Sequence, residues 1–425
     1  MHPKLSMQMV AGLLAGLTLG LIAHFTLGGS PALEGFMRYV TEPIGRIFLR
    51  LLFVLVIPLI VSALSLGVAG LGDLKSLGRI GLKTFAYTVA VSTIAVMIGV
   101  GMVNLFKPGA GVSPAIKQQL LSRPAAITAP PPPAAGASGI DFFVALVPQN
   151  LVKAMADGDM LGVMVFSLFL GLGLALTRGE PARRLEEVLQ GVYDVIMRML
   201  EIVLRFAPIA VACLLFSLVA RLGFDVLRQL GAYVLVVVGA LALHQFGVYS
   251  ASVAWLGGMS PIAFFRAVRE PMVTAFSTAS SNATLPVSIA AAENELHLPR
   301  HVSRFVLTIG STANQNGTAL FEGVTVLFLA QFYGVALTLA QQFTVVFICI
   351  LGGIGTAGVP AGSIPVVVMI LGLVGIPAEG IGMILGVDRF LDMCRTTLNV
   401  TGDLAAAVVV ARGEPREVER VEAER

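Results

Sequence analysis

Five polar residues near the C-terminus recur at a spacing that places them on one face of a helix. They lie in an otherwise apolar run ending in LAAAVVVA, and they are Asp388, Asp392, Arg395, Asn399 and Asp403. At 100° per residue these positions form one polar stripe. A carboxylate and a guanidinium are the groups that would bind the ammonium and a carboxylate of an amino acid. Alternatively, Asp392 and Arg395 pair only with each other, which an i, i+3 spacing allows.

The same stripe carries residues suited to a small cation. Thr396 and Asn399 add hydrogen-bonding groups next to Arg395, and Asp403 follows one turn later. A carboxylate, together with carbonyl groups freed by a helix break at 310–314, supplies the hard oxygen ligands that such a cation needs. We therefore expect substrate and cation sites to share the last helix, as coupled transport requires.

The composition shows what surrounds this stripe. Of 425 residues, 56% are hydrophobic and 12% are charged, and the mean hydropathy is +0.88. A soluble domain carries about a quarter charged residues, so a soluble enzyme and a disordered chain are both excluded. A net charge of +3 without a basic cluster among aromatic residues argues against a nucleic-acid partner. The three cysteines lie in apolar or helical runs and are interpreted as packing residues, and the partners expected are membrane lipids and a small molecule.

The first part of the chain reads as a series of membrane spans. Apolar runs of suitable length occupy residues 5–27, 44–71, 84–106, 160–176, 192–218 and 230–255. A Pro-rich linker at 107–141 is expected to lie outside the bilayer. The distribution of Lys and Arg favours cytoplasmic N- and C-termini in a multi-pass protein of the cell (inner) membrane.

After residue 260 the apolar runs are interrupted in their middles. The interruptions are STASSNATLP at 277–286, GSTANQNGT at 310–318 and GGIGTAGVPAGSIP at 352–365. Non-helical backbone at membrane depth survives only when it is buried in protein or lines a cavity. Loops outside the membrane are the alternative, but the flanking runs are too short to be spans. We expect two re-entrant hairpins, at 261–296 and 338–376, each followed by a polar-studded helix, and this pairing points to a transporter site at the bilayer midplane.

Four motifs in order carry a resemblance to a known family. STASSNATLP, NQNGTALFEG, GTAGVP and VDRFLDMCRTTLNVTGD resemble the glutamate transporter homologues, the dicarboxylate/amino acid:cation symporters. The resemblance implies an all-α polytopic protein with eight transmembrane helices and two re-entrant hairpins, which works as a homotrimer by an elevator mechanism. It places scaffold helices 1 and 2 in 1–78, transport-domain helix 3 in 79–106, the extracellular linker in 107–141, scaffold helices 4 and 5 in 142–225, the rest of the transport domain in 226–412 and a charged cytoplasmic tail in 413–425.

The resemblance also implies a set of substrate residues. They are Ser281, Thr318, Val359, Asp392, Arg395, Thr396 and Asn399. Asp392 would bind the amino group and Arg395 the side-chain carboxylate, and relatives that carry neutral amino acids lack this arginine. The expected substrate is L-glutamate or L-aspartate. A C4-dicarboxylate such as succinate is the first alternative, against which the carboxylate of Asp392 argues, and a channel that uses the stripe as a pore is the second.

Two sodium sites are implied and a third is not. The first would use Gly310, Asn314, Asn399 and Asp403, and the second would use carbonyl groups of Thr312, Gly353, Ile354 and Thr356. The motif that usually reads N-M-D-G-T is NQNGT here, so the third site has the amide of Asn316 in place of a carboxylate. Its usual hydroxyl positions in the third span read Thr88 and Val91, which leaves Ser92 in place.

Glu322 occupies the position where proton-coupled relatives keep a protonatable Glu. It lies four residues after Thr318, on one face of the seventh helix. Burial favours the neutral form of a carboxyl group, so Glu322 is expected to carry a proton in place of, or alongside, a third sodium ion. A Glu bonded permanently to a neighbour is the alternative. Asp388 is expected to serve structure by hydrogen-bonding Tyr87.

Overall fold

A computed structural model describes residues 3–70, 79–110, 147–157, 159–177, 179–355, 363–377 and 380–414. Within these ranges the chain is built of helices and contains no strand. The first helices are α1 (Pro3–Leu27), α2 (Pro31–Phe36), α3 (Glu42–Gly70) and α4 (Arg79–Phe106). A π-helical turn at Met37–Thr41 joins α2 to α3, so these two helices form one continuous apolar segment, Pro31–Ala69.

The next helices pack beside α1 and α3. They are α5 (Leu151–Asp157), α6 (Met160–Leu176), α7 (Glu180–Leu204) and α8 (Ala207–Leu222). The run at 192–218, predicted as one span, is divided between α7 and α8, which meet at a bend of 54°. Pro208 lies in the first turn of α8, where its missing N–H and fixed φ fit a helix start.

Glycines let α1 approach α8 closely. A Cβ added to Gly16 would lie 2.7 Å from the carbonyl oxygen of Ala212, and one added to Gly20 would lie 2.9 Å from the Cβ of Val219. Such close approaches of a glycine backbone to a neighbouring helix are of the kind that small residues permit in membrane bundles. The four-residue spacing of small residues in α1 is therefore used inside the chain.

The second half contains the two interrupted units that the sequence predicts. α9 (Phe224–Leu243) continues through π-helical turns at His244–Val248 and Ser252–Gly257. The first hairpin consists of α10 (Pro261–Ala267), α11 (Arg269–Thr278) and α12 (Ser281–Asn294), and α11 packs against α12. The second consists of α15 (Leu339–Gly355) and α16 (Ile364–Leu373), and its tip at 356–362 lies outside the described residues.

Local chemistry explains the turn of the first hairpin. Ala279 adopts a left-handed conformation with φ of 51°, which ends α11. Ser280 then caps α12, because its side-chain oxygen accepts a hydrogen bond from the backbone N–H of Ala283 at 3.2 Å. The Ser-rich stretch in STASSNATLP therefore reverses the chain as predicted.

Two helices, α14 (Asn316–Tyr333) and the last helix, α17 (Ile381–Ala411), lie at the centre of the molecule. α13 (Arg300–Ala313) precedes α14 and is separated from it by a break at 314–315. Nearly every residue of α14 and most of α17 are buried, and both helices contact α4. A helix buried on all sides belongs to the interior of a bundle, so the polar groups of these two helices face protein.

Three described helices are long and apolar enough to cross a membrane. They are Pro31–Ala69, Arg79–Phe106 and Val226–Gly257, and the bent pair α7 and α8 would make a fourth if it is one span. Large apolar side chains such as Leu14, Phe169 and Leu235 are exposed on the outer surface, where lipid would cover them. The chain is a helical membrane protein.

Candidate functional site

The predicted polar stripe of α17 is buried along its whole length. Asp388, Asp392, Arg395, Asn399 and Asp403 are each between 1% and 5% exposed. An uncompensated charge is expensive inside a membrane protein. Each of these side chains must therefore find a partner within the bundle.

Arg395 is held by two carboxylates. Its Nε and Nη2 atoms each lie 2.9 Å from Oδ1 of Asp392, and its Nη1 lies 3.0 Å from Oδ1 of Asp388. The Phe321 ring covers the guanidinium at 4.2 Å from Cζ to the ring centroid. A second guanidinium, that of Arg389, approaches Oδ2 of Asp392 at 3.9 Å. The pairing of Asp392 with Arg395 that the spacing allows is thus present in this structure.

The prediction that Asp388 hydrogen-bonds Tyr87 is wrong. The Tyr87 hydroxyl instead lies 2.9 Å from the Ser252 hydroxyl on the extension of α9, and Asp388 pairs with Arg395. A guanidinium adds the attraction of an opposite charge to its hydrogen bond with a carboxylate, which a neutral tyrosine hydroxyl cannot offer. The ion pair therefore decides where the Asp388 carboxylate points.

Asn399 joins α17 to the broken helix. Its Oδ1 accepts the backbone N–H of Gly317 at 2.7 Å, and its Nδ2 donates to Gln315 Oε1 at 2.6 Å and to Thr318 Oγ1 at 3.1 Å. Thr318 is 4% exposed and, since it accepts through its oxygen, keeps its own proton for another acceptor. Asn399 and Thr318, both predicted to bind substrate, lie side by side.

The structure gives fewer contacts for the other predicted substrate residues, Ser281, Thr396 and Val359. Ser281 is 2% exposed and begins α12, which contacts α17, and its hydroxyl has no hydrogen-bond partner among the described residues. Thr396 is buried beside Arg395 on α17. Val359 lies outside the described residues.

Three of the residues predicted for the first cation meet at the end of α13. Asn314 Nδ2 donates to Asp403 Oδ1 at 2.9 Å, and a Cβ added to Gly310 would lie 2.5 Å from the same oxygen. Asn314 Oδ1 is buried and accepts no hydrogen bond from the described residues. Asn399 lies one turn before Asp403 on α17. The cluster therefore offers a carboxylate and an orphaned amide oxygen, both hard ligands for a small cation.

The second predicted cation site is only partly described. Gly353 is buried, and a Cβ placed on it would lie 3.3 Å from the carbonyl oxygen of Gln315. Thr312 is exposed, with its hydroxyl donating to the Ile309 carbonyl, and Ile354 belongs to the last turn of α15. Thr356 lies outside the described residues. Among the residues that the structure places, no group of three His, Cys, Asp or Glu side chains could hold a metal ion.

Asn316, at the predicted third cation position, is hydrogen-bonded through both its side-chain oxygen and its nitrogen. Its Oδ1 accepts from the Ser92 hydroxyl at 2.5 Å, and its Nδ2 donates to the Tyr249 hydroxyl at 3.0 Å. Thr88 and Val91 are buried on the same helix as Ser92. Sequence reasoning missed Tyr249, whose only signal was a polar aromatic residue within the apolar run of α9.

Glu322 is 0% exposed in the middle of α14. Neither of its carboxyl oxygens has a hydrogen-bond partner within the described ranges. A Cβ added to Gly352 of α15 would lie 2.9 Å from Glu322 Oε2, so the carboxyl group faces the second hairpin. Desolvation without a partner favours the neutral form of such a group.

Comparisons with known proteins find relatives over nearly the whole chain. The family model described as the sodium:dicarboxylate symporter family matches residues 5–413. A proton/sodium-glutamate symport protein of Bacillus subtilis (strain 168) is 34% identical over 410 residues, which are 96% of this chain and 92% of that protein. The proton/glutamate-aspartate symporter of Escherichia coli (strain K12) is 35% identical over 97% of this chain and 93% of its own length. Excitatory amino acid transporter 2 of Mus musculus is 30% identical over 100% of this chain and 83% of its own.

Proposed function

The chain belongs to the sodium:dicarboxylate symporter family, and from this premise we propose that it takes up L-glutamate or L-aspartate together with sodium ions, protons or both. It is a secondary-active transporter and not an enzyme. Relatives named for proton/sodium-glutamate and proton/glutamate-aspartate symport, each at least 34% identical over most of the chain, support this assignment.

The paired charges around Arg395 are the observation that carries the proposal. Asp392 and Arg395 neutralise each other in this structure, and Asp388 holds the far side of the guanidinium. An acidic amino acid brings an ammonium for Asp392 and a side-chain carboxylate for Arg395. Substrate binding thus exchanges one buried ion pair for two, and Asp388 keeps Arg395 in place throughout.

Succinate offers a poorer exchange. It has carboxylates for Arg395 but no ammonium, so Asp392, which is 5% exposed, would give up its 2.9 Å contact with Arg395 and gain no substrate charge, with the Arg389 guanidinium at 3.9 Å as a more distant counter-charge. Weakening a buried ion pair is unfavourable, by up to about 3–5 kcal/mol when the pair is broken completely. Discrimination against a C4-dicarboxylate therefore follows from the pairing of Asp392.

For the cations we assign sodium to Gly310, Asn314, Asn399 and Asp403, and a second sodium to the carbonyl groups of Thr312, Gly353, Ile354 and Thr356. The buried Asn314 oxygen beside Asp403, which accepts no hydrogen bond from the described residues, supports the first of these. Asn316 offers a neutral amide whose groups Ser92 and Tyr249 already occupy, so no third sodium is assigned there.

Glu322 is proposed to carry the coupled proton. Its buried carboxyl group on α14, next to α15, has no hydrogen-bond partner in the part of the chain that the structure describes, and this supports the role. A group that is neutral when buried can cross the membrane with the substrate and release its proton once water reaches it.

The moving body is proposed to be a transport domain made of 79–106 and 226–412, carried by a scaffold of 1–78 and 142–225. The contacts of α17 with both arms of the first hairpin, and of α14 with both arms of the second, support one unit around the site. Eight transmembrane helices, an elevator motion, a homotrimer and an inner-membrane location with cytoplasmic termini complete the proposal by family resemblance.

A competition series tests the substrate assignment. Labelled L-glutamate uptake into proteoliposomes would be measured against L-aspartate, succinate and L-serine, with and without sodium and at two pH values. Strong inhibition by aspartate and weak inhibition by succinate and serine are expected. Inhibition by succinate equal to that by aspartate would contradict the role given to Asp392.

A further inference from the structure

Arg389 is a second guanidinium beside the substrate site. Its side chain is 15% exposed, and its Nη1 atom is buried. Within the described part of the chain that nitrogen donates no hydrogen bond, and it approaches Oδ2 of Asp392 at 3.9 Å. A charged group is costly inside a membrane protein, so it is normally kept there by an oppositely charged partner or by a function. The contact with Asp392 identifies the partner.

Helix geometry places Arg389 at the rim of the polar stripe of α17. At 100° per residue it lies about 60° from Asp392 on one side and about 60° from Gly386 on the other. Gly386 faces Leu13 of α1 and Leu215 of α8. The Arg389 side chain therefore starts between the face that these helices cover and the carboxylate that a substrate ammonium would meet.

Four charges form a chain along this part of α17. Asp388 pairs with Arg395 at 3.0 Å, and Arg395 pairs with Oδ1 of Asp392 at 2.9 Å. The other oxygen of Asp392 faces Arg389. Two carboxylates and two guanidinium groups add up to no net charge. If Arg389 were neutral, the same cluster would carry one net negative charge, on side chains that are at most 5% exposed.

The net charge of this cluster matters because the proposed substrate is itself an anion. L-Glutamate and L-aspartate have two carboxylates and one ammonium, so each brings one net negative charge into the site. Two like charges about 8 Å apart, at an effective dielectric constant of about 20, repel each other by about 2 kcal/mol, which is about 30-fold in affinity. An excess carboxylate in the cluster would therefore oppose the substrates that Arg395 attracts.

We propose that Arg389 is a specificity-determining residue that neutralises the second carboxylate of the cluster and so lets the site accept an acidic amino acid. The inference rests on the proposed function. Arg395 cannot balance the cluster alone, because Asp388 and Asp392 together carry two negative charges against its one. Arg389 acts through Asp392 and is in this sense a positioning residue. When a substrate carboxylate draws Arg395 away, Arg389 stays as the counter-charge on the other oxygen of Asp392.

The test compares Arg389→Gln, which removes the charge, with Arg389→Lys, which keeps it. L-Glutamate affinity would be measured by calorimetry on the full chain at fixed pH and saturating sodium, and thermal unfolding would be followed for each variant. Arg198→Gln is the matched control. Arg198 lies on α7, its side chain is 68% exposed and it pairs with Glu201, so the same charge is removed where solvent screens it.

Arg389→Gln is expected to weaken glutamate affinity by about 30-fold. Arg389→Lys is expected to stay within about threefold of the wild type, because a point charge is sufficient at this distance, and Arg198→Gln should leave the affinity unchanged. Succinate carries two negative charges, so the ratio of glutamate to succinate affinity, measured by competition, should rise in Arg389→Gln. Where succinate competes with neither chain, the comparison of Gln with Lys decides.

Unchanged glutamate affinity in Arg389→Gln would overturn the proposal, and so would a loss of the same size in Arg389→Lys or Arg198→Gln. Arg389→Met, which keeps the apolar stem, replaces the Gln variant if that variant does not fold. If neither folds while Arg389→Lys does, Arg389 serves the fold and its role in selectivity is overturned. A wild-type chain that binds no acidic amino acid would overturn the proposed function itself.

Discussion

Replacement of Asp392 by Asn is expected to change which substrate the site prefers. In the wild type the carboxylate has Arg395 at 2.9 Å and is 5% exposed, so it is poorly screened by water. The Asn amide oxygen still accepts from Arg395 but offers no charge to a substrate ammonium. The lower end of the cost of breaking a buried pair applies, about 3 kcal/mol, or about 100-fold in L-glutamate affinity.

Succinate should respond in the opposite direction. With one carboxylate removed, Asp388 alone opposes the charge of Arg395, so a substrate carboxylate meets less repulsion. The ratio of glutamate to succinate affinity is therefore expected to fall by at least about 100-fold. Binding calorimetry and competition in proteoliposomes measure this ratio.

Asp194→Asn is the matched control, because Asp194 lies on the exposed face of α7 and bonds only the neighbouring Gln190 among the described groups. It should leave both affinities unchanged. An equal loss of glutamate and succinate binding in Asp392→Asn would refute the reasoning, since Asp392 would then serve only to hold Arg395 in the fold.

Four further predictions follow from single side chains. Glu322→Gln should abolish uptake driven by a pH gradient alone while sodium-driven uptake persists, and unchanged proton-driven uptake would contradict its role. Asn316→Asp should make the sodium dependence of uptake steeper, because a carboxylate replaces the amide held by two hydroxyls; an unchanged sodium titration would count against this. Gly317→Ala should lower stability by about 1–3 kcal/mol in thermal unfolding, since its Cβ would lie 2.5 Å from a backbone oxygen of α17, and an unchanged Tm would refute the contact. Hydrogen bonding to Arg79 lowers the pKa of Glu414. The pair should therefore stabilise the fold by about 0.5–1 kcal/mol above about pH 4.5, and this stabilisation should be lost as the pH falls further. A Glu414→Gln variant whose Tm differs from the wild type by the same amount at pH 7 and at pH 4 would contradict the assignment.

Local periodicity was enough to predict the stripe of α17 and the breaks in the second half. Charged residues at helical spacing in an apolar run must face protein, and Asp388 and Asp403 do. Small and polar residues in the middle of apolar runs must interrupt them, as the turn at Ala279 and the break at Asn314 illustrate. Both inferences need only the neighbouring sequence.

The partners of buried polar groups could not be predicted in the same way. Asn316 is held by Ser92, 224 positions away, and by Tyr249, 67 positions away. Asp388 has two possible hydrogen-bond partners, the aromatic Tyr87 and the cationic Arg395, at different distances along the chain. Only the fold shows that Arg395 is the one in reach. The Gln315 side chain likewise hydrogen-bonds both the Ser311 carbonyl and the Asn399 amide because α13 and α17 pack together.

Coupled uptake of an acidic amino acid can be measured as accumulation of labelled L-glutamate in proteoliposomes. Purified protein would be reconstituted and given an inward sodium gradient, an inward proton gradient, both or neither, and internal glutamate would be followed over time. Saturable accumulation above the external concentration is expected with at least one gradient, and none without. Equilibration without accumulation, or accumulation of succinate in preference to glutamate, would contradict symport of acidic amino acids.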